Sequence, residues 1–150
     1  MIIREATIND IDKYMTVRMA VKENPLNNPA LVTRNDNIDY ITKFGKGWVC
    51  DIDQHIVGFS IVGLAQRNIW ALFVLPGFEG KNIGRNLHDI MLNWYFSQTK
   101  ETVWLGTAPN TRAEKFYRKS GWIETGKHGQ GEIKFEMKYD NWKAVKVSSV

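Results

Sequence analysis

The chain has 150 residues, 43% of them hydrophobic and 24% charged, which suits one domain around one core and excludes disordered and fibrous classes. The formal charge of +4 arises from basic residues scattered along the chain, so the excess does not single out a nucleic-acid surface. The single cysteine, Cys50, excludes an intrachain disulfide and points to a reducing compartment.

Met1 to Ala6 reads as a short strand. Its early charges, Arg4 and Glu5, are followed by no apolar stretch, so no secretory signal is expected. Thr7 fits a helix N-cap with Asp10 three residues on, and Ile8, Ile11, Met15 and Met19 recur at helical spacing until Asn24-Pro25. Residues 25 to 34 read as a loop, broken by Pro25, Asn27, Asn28 and Pro29. Asn35 or Asp36 is expected to cap a short second helix carrying Ile38, Ile41 and Phe44, ended by Gly45 and Gly47.

Three strand-like runs come next, Trp48 to Asp53, His55 to Ala65 and Asn68 to Leu75, in the pattern of an antiparallel meander. Cys50 sits in the first and reads as core packing. The apolar run Trp70 to Leu75 is far too short to cross a bilayer, so no membrane association is expected and a cytoplasmic location follows. Asn82 to Ser97 is the strongest helix, with Ile83, Leu87, Ile90, Met91 and Trp94 in one apolar stripe and His88 on the opposite, solvated face. Thr102 to Ala108 reads as a buried strand. Asn110 or Thr111 caps the next helix, Thr111 with Glu114 fitting a capping box, and the helix stops at Ser120-Gly121. Two last strands flank Gly129-Gln130-Gly131, and the final ten residues read as a loose tail.

The order β-α-α-β-β-β-α-β-α-β-β predicts an α/β (α+β) fold: a mixed, mostly antiparallel seven-stranded sheet flanked by four helices. The segment from 68 to 108 should be a right-handed βαβ crossover with parallel strands. The expected organisation is one domain, residues 1–140, with a tail at 141–150.

The stretch from Leu72 to Leu87 carries the chemistry. A strand ends, glycines punctuate a tight loop, and a helix begins. Backbone N–H groups at a helix start lack internal partners, and the helix dipole favours an anion in front of them. Gly80 and Gly84 permit close approach, and Lys81 and Arg85 add positive charge, so an anion site for phosphate or pyrophosphate is expected. The spacing fits neither the Gly-x-x-x-x-Gly-Lys-Ser/Thr loop nor Gly-x-Gly-x-x-Gly.

Val74-x-Pro76 followed by Glu79-Gly80-Lys81-Asn82-Ile83-Gly84-Arg85 resembles the pyrophosphate loop of the GCN5-related N-acetyltransferases (GNAT), usually written Gln/Arg-x-x-Gly-x-Gly/Ala. Gly84 falls on the last position. Glu79 replaces the usual Arg or Gln, and Asn82 replaces the middle glycine. Asparagine tolerates positive φ, and the Glu79 side chain is expected to turn to solvent. One strand later, Asn110 to Trp122 is similar to the family's Asn-x-x-Ala-x-x-x-Tyr-x-x-x-Gly-Phe segment, with Asn110, Ala113, Tyr117 and Gly121 on pattern.

The resemblance implies an enzyme that transfers the acetyl group of acetyl-CoA, its co-substrate, to a primary amine by direct attack through a tetrahedral intermediate. It also implies cofactor contacts from Leu72, Phe73 and Val74 through the backbone, from Gly80, Lys81, Asn82, Ile83, Gly84 and Arg85 through the loop, and from Asn110 and Tyr117. Tyr117 would be the catalytic acid at the leaving sulfur, or a hydrogen-bond donor to it. The acceptor, a small molecule or a protein, would bind about residues 20 to 36 and the last strands. A homodimer is compatible with the family. An alternative with the same fold is a non-catalytic acetyl-CoA-binding regulatory domain.

No metal site is expected, since His55, His88 and His128 have no cysteine or carboxylate clustered at ligand spacing. His55 lies at a turn and His128 beside a glycine-rich turn. Trp48, Trp70 and Trp104 fall on strands, as core or as groove walls. Neither Asn68 to Leu75 nor Leu105 to Pro109 contains an acid, and Asp51, Asp53 and Glu132 read as exposed. Water is therefore expected to carry the amine proton away, past His55, with no dedicated carboxylate base.

Overall fold

The computed structural model describes residues 1–22 and 32–148. Seven strands form one sheet: β1 (Ile2–Glu5), β2 (Gly45–Ile52), β3 (His55–Gly63), β4 (Asn68–Val74), β5 (Val103–Thr107), β6 (Ile123–His128) and β7 (Glu132–Met137), in the order β1-β2-β3-β4-β5-β7-β6. Only β4 and β5 run parallel; the other neighbours are antiparallel. The mixed sheet is as expected, with five helices rather than four among the described residues: α1 (Ile11–Ala20), α2 (Arg34–Asp39), α3 (Ile83–Gln98), α4 (Arg112–Lys119) and α5 (Tyr139–Ser148).

Local chemistry explains the helix starts. The Thr7 amide donates to Asp10 Oδ2 at 2.8 Å, and Arg4 from β1 clamps both Asp10 oxygens at 2.8 and 2.9 Å. The Arg4 bonds hold the Asp10 carboxyl down at about 2, below the usual carboxylate range, although burial opposes them. Thr33 caps α2, its hydroxyl accepting from the Asp36 amide at 3.0 Å while Asp36 Oδ2 accepts from the Thr33 amide at 2.9 Å. The cap is thus neither Asn35 nor Asp36. Thr33-x-x-Asp36 works as a reciprocal box, in which Asp36 occupies the third helical position. α2 runs on into a wide helical turn over Tyr40–Phe44. Asn24 and most of the expected 25–34 loop lie outside the described residues.

Each sheet face carries a core. On one, Ile11, Tyr14 and Val17 of α1 pack with Ile41 against Val49, Phe59, Ile61 and Ala71. On the other, Ile83, Leu87, Met91, Leu92 and Tyr95 of α3 pack against Cys50, Val103, Leu105, Phe135 and Met137. Cys50 is core, as expected, and burial pushes its thiol pKa up.

His88 is not solvated. It is fully buried, because the face of α3 beside the apolar stripe is covered by Phe116, Trp122 and Trp142, with ring centroids 5.3, 6.1 and 5.7 Å away. Trp122 Nε1 can only donate, and it does so to His88 Nε2 at 3.0 Å, so the ring proton sits on Nδ1 facing Asp89 Oδ1 at 2.8 Å. Trp142 belongs to α5, which occupies most of the stretch expected as a tail and buries this residue to 4% exposure.

Candidate active site

The sheet is opened between β4 and β5. Their ladder holds only at Asn68 opposite Trp104, where the Trp104 amide donates to Arg67 O at 2.9 Å. A bulge begins the divergence: Ile61 of β3 faces Ala71 and Val62 faces Ile69, leaving Trp70 as the extra residue. Bulges bend a strand and raise its twist, which turns the end of β4 away from β5. Trp70 stacks flat on Tyr40, with centroids 4.2 Å apart and the planes at 7°.

The backbone of β4 is consequently half used. The Leu75 amide donates to Val57 O of β3 at 2.7 Å. By the two-residue alternation of an antiparallel ladder, Phe73 also faces β3, while the N–H and C=O of Leu72 and Val74 point into the gap. They border a cleft of about 690 Å³ that runs from the start of α3 past Tyr117 to the end of α1.

At one mouth lies the loop before α3. Gly80 and Asn82 both take positive φ, 77° and 64°. Asn82 thus adopts the left-handed conformation that asparagine tolerates, as expected from its type. The Asn86 amide makes a helical bond to Asn82 O at 3.0 Å, leaving the amides of Ile83, Gly84 and Arg85 at the helix start without a helical acceptor. A Cβ on Gly84 would sit 3.6 Å from Val74 Cγ2, so any larger side chain must extend into the cleft. Arg85 is held at the rim, its guanidinium 4.9 Å from the Phe116 ring and 4.0 Å from Asp89 Oδ1. Glu79 is exposed but folds back, Oε1 accepting from the Gly77 amide at 2.7 Å. Bonds from the amides of Glu79 and Gly77 hold its carboxyl below the usual range, so it stays ionised at the edge of the cleft, bonded to the loop's own amides.

Tyr117 forms the opposite wall. It projects from α4, which starts where Thr111 Oγ1 accepts from the Glu114 amide at 3.2 Å and Glu114 Oε1 accepts from the Asn110 amide at 2.7 Å. The ring is 6% exposed, packed on Phe116, Trp122 and Phe135, with centroids 5.4, 5.6 and 6.2 Å away. Burial pushes the phenol pKa well above that of free tyrosine.

Of the residues expected from sequence, Leu72, Phe73, Val74 and Tyr117 line the cleft, as do Gly80, Asn82, Gly84 and Arg85 of the loop. Three do not. Lys81 is exposed, with Nζ 5.4 Å from the Phe78 ring; Ile83 is in the core at 1% exposure; and Asn110, at φ 62°, is an exposed turn residue before the cap. Val21 and Lys22, just past α1, fall in the stretch expected for the acceptor, about residues 20 to 36, whereas Gly106, Thr111 and Arg112 were not among the expected site residues. Thr111 and Arg112 lie inside the second motif at variable positions, Thr111 also as the expected helix cap, and nothing local marks Gly106.

The family model for the Acetyltransferase (GNAT) family matches residues 14–122. A search of curated proteins finds no match. Among solved structures, the chain is similar to an acetyltransferase of the GNAT family from Staphylococcus aureus Mu50, at 18% identity and a TM-score of 0.80, covering 92% of this chain and 98% of that one. It is also similar to the PaiA N-acetyltransferase from Thermoplasma acidophilum in complex with coenzyme A, at 16% identity and TM-score 0.77 with coverage of 92% and 98%. A third likeness is the ribosomal-protein-alanine N-acetyltransferase from Brucella melitensis, at 19% identity and TM-score 0.72, covering 92% and 99%. With more than half of the chain matched, including both motif segments, and with the cleft that acetyl-CoA requires as co-substrate, the chain belongs to the GNAT family of acetyltransferases.

Proposed function

We propose that this chain transfers the acetyl group of acetyl-CoA to a primary amine by direct attack. The observation that carries this reading is the open edge of β4, with the Leu72 and Val74 backbone facing a cleft that ends at unpartnered helix-start amides. An amide-rich pantetheine arm is an extended chain, and an open strand edge offers it the pairing that β5 does not take. The amides of Ile83, Gly84 and Arg85, with the Arg85 charge beside them, suit the pyrophosphate.

The attacking amine adds to the thioester carbon, a tetrahedral oxyanion forms, and the C–S bond breaks as its electron pair leaves on sulfur. A β4 amide pointing into the gap would stabilise the oxyanion. Tyr117 remains protonated through neutral pH, because burial disfavours its phenolate. Full proton transfer from even a free phenol to a thiolate is uphill by ~1.5 units, roughly 2 kcal/mol. The Tyr117 hydroxyl therefore acts mainly as a donor to the leaving sulfur, which takes its proton finally from the nitrogen that becomes the amide.

The departures at Glu79 and Asn82 do not favour the non-catalytic alternative. The Glu79 carboxylate is tied back to the Gly77 amide, and Asn82 holds the left-handed conformation that the usual glycine would take. We read the described chain as one catalytic domain including α5, acting in a reducing cytoplasm that suits the buried free thiol of Cys50. The acceptor enters at the α1 and β5 side, and the segment expected to select it, about residues 20 to 36, falls largely outside the described residues. Following CoA release over a panel of amines tests the reading. Turnover with at least one amine is expected, whereas tight acetyl-CoA binding with no release across the panel would return the regulatory alternative.

A further inference from the structure

Beside the cleft, next to its lining residue Gly106, stand titratable groups that no step above uses. β7 pairs Lys134 with Gly106 of β5 and Glu132 with His128 of β6. Directly opposed residues share a face, so Trp104, Gly106, Lys134, Glu132 and His128 all lie on the sheet face opposite the Leu105 and Phe135 core. Gly106 also lines the cleft. A Cβ on it would lie 2.8 Å from Glu132 Oε1 and 2.8 Å from His128 Cδ2. The glycine is therefore a notch at the rim, and a carboxylate and an imidazole from two other strands fill the space a β5 side chain would take. His128 Nε2 is 3.9 Å from Glu132 Oε1, and the ring lies 4.9 Å from that of Trp104. Two further charges share this face: Lys134 is drawn over Trp104 at 5.4 Å and toward Oε2 of Glu136, the residue opposite Trp104, at 3.8 Å, leaving Glu132 as the carboxylate beside the imidazole.

Building on the amine-acetylation reading, we infer that His128 accepts the proton of the incoming ammonium, with Glu132 as the positioning residue that stabilises the imidazolium. The ammonium gives one proton to the imidazole, the freed lone pair attacks the thioester carbon, and His128, with a 46% exposed side chain, releases its proton to water. The second N–H proton ends on the CoA sulfur, so one acetyl transfer releases one proton. Neutral imidazole is the ordinary side chain able to accept a proton reversibly near neutral pH. This places a base where β4 and the segment before Asn110 supply no acid, and it replaces the solvent relay past His55, whose exposed ring lies at the turn between β2 and β3 against Asp53 O at 3.0 Å.

The test is the pH dependence of kcat/KM with glycinamide and with ethylamine, whose amines resemble an α-amine near 7.8 and an alkylamine near 10.4 respectively. The wild-type acidic limb should stay fixed when the amine is changed. His128→Gln should lose about 100-fold at neutral pH, and its limb should then follow each amine. Glu132→Gln and Gly106→Ala, which displaces both side-chain tips, should lose less and shift the limb, with desulfo-CoA affinity and melting temperature unchanged. A wild-type limb that moves with the amine, or a His128→Gln enzyme with wild-type rate and limb, overturns the inference while leaving acetyl transfer standing. Absence of CoA release with any amine, although desulfo-CoA binds, overturns the amine-acetylation reading and this inference with it.

Discussion

The two mouths of the cleft are built by different means. The mouth proposed for the cofactor is contiguous backbone: ten residues from Pro76 to Arg85 supply a turn, three positive-φ positions and a helix start. The mouth proposed for the acceptor is assembled from residues on separate elements: Trp70 from β4, Gly106 from β5, Val21 and Lys22 from the end of α1, with His128 and Glu132 beside the rim. A backbone site tolerates changed side chains as long as φ and ψ are kept. Glu79 and Asn82 fit this: both depart from the family pattern, yet Glu79 bonds back to the Gly77 amide and Asn82 takes the left-handed φ of 64° that glycine adopts freely. A side-chain site is free to change with its substrate, since no backbone conformation depends on it.

The contrast can be broken at its strongest point by Gly84→Glu. The new carboxylate would extend past Val74 toward the proposed pyrophosphate position, and like charges forced together cost several kcal/mol. Calorimetry with desulfo-CoA should show affinity falling on the order of 1,000-fold. Unchanged affinity would move the pyrophosphate elsewhere.

Tyr117→Phe acts between the two mouths. The ring packing on Trp122 and Phe135 is kept and only the hydroxyl is lost. Steady-state kinetics should show kcat lower by ~10-fold to 1,000-fold with little change in the KM for acetyl-CoA. A fully active Phe variant would reduce this residue to packing.

Asp10→Ala addresses the acceptor-side scaffold alone, since Asp10 ties α1 to Arg4 of β1. Losing the paired carboxylate and the bond to the Thr7 amide should cost about 2 kcal/mol in chemical denaturation while desulfo-CoA affinity holds. The sign with pH is set by the depressed folded pKa of about 2. The stabilisation is complete above the unfolded Asp value near 3.9 and is lost as pH falls toward 2. Wild type and variant stabilities should therefore converge in acid, and a constant gap would sink the assignment.

The smallest effect is expected at Asn82→Gly. Glycine takes φ 64° without a Cβ, so cofactor affinity should be unchanged or tighter by a few tenths of a kcal/mol, at the scale of the left-handed penalty asparagine partly escapes. A large loss would show that the asparagine side chain itself binds.

What the sequence determined by itself is what neighbouring residues decide together: element order as far as β7, the capped starts at Thr7 and Thr111, and the loop and helix start from Gly80 to Arg85. Propensity, capping and positive φ act within a few residues and leave local marks. Even there, Thr33 went unread because Asp36, its partner in the box, looked like a cap in its own right. The rest was decided by contacts across the chain. Periodicity says which residues share a face but not what covers it, so His88 looked solvated until α4, Trp122 and α5 closed over it. Cleft width depends on a bulge at Trp70 that only the register with β3 defines. Strand pairing alone brings His128 and Glu132 to Gly106, more than 20 positions earlier, because a sheet makes neighbours of residues by register rather than by distance along the chain.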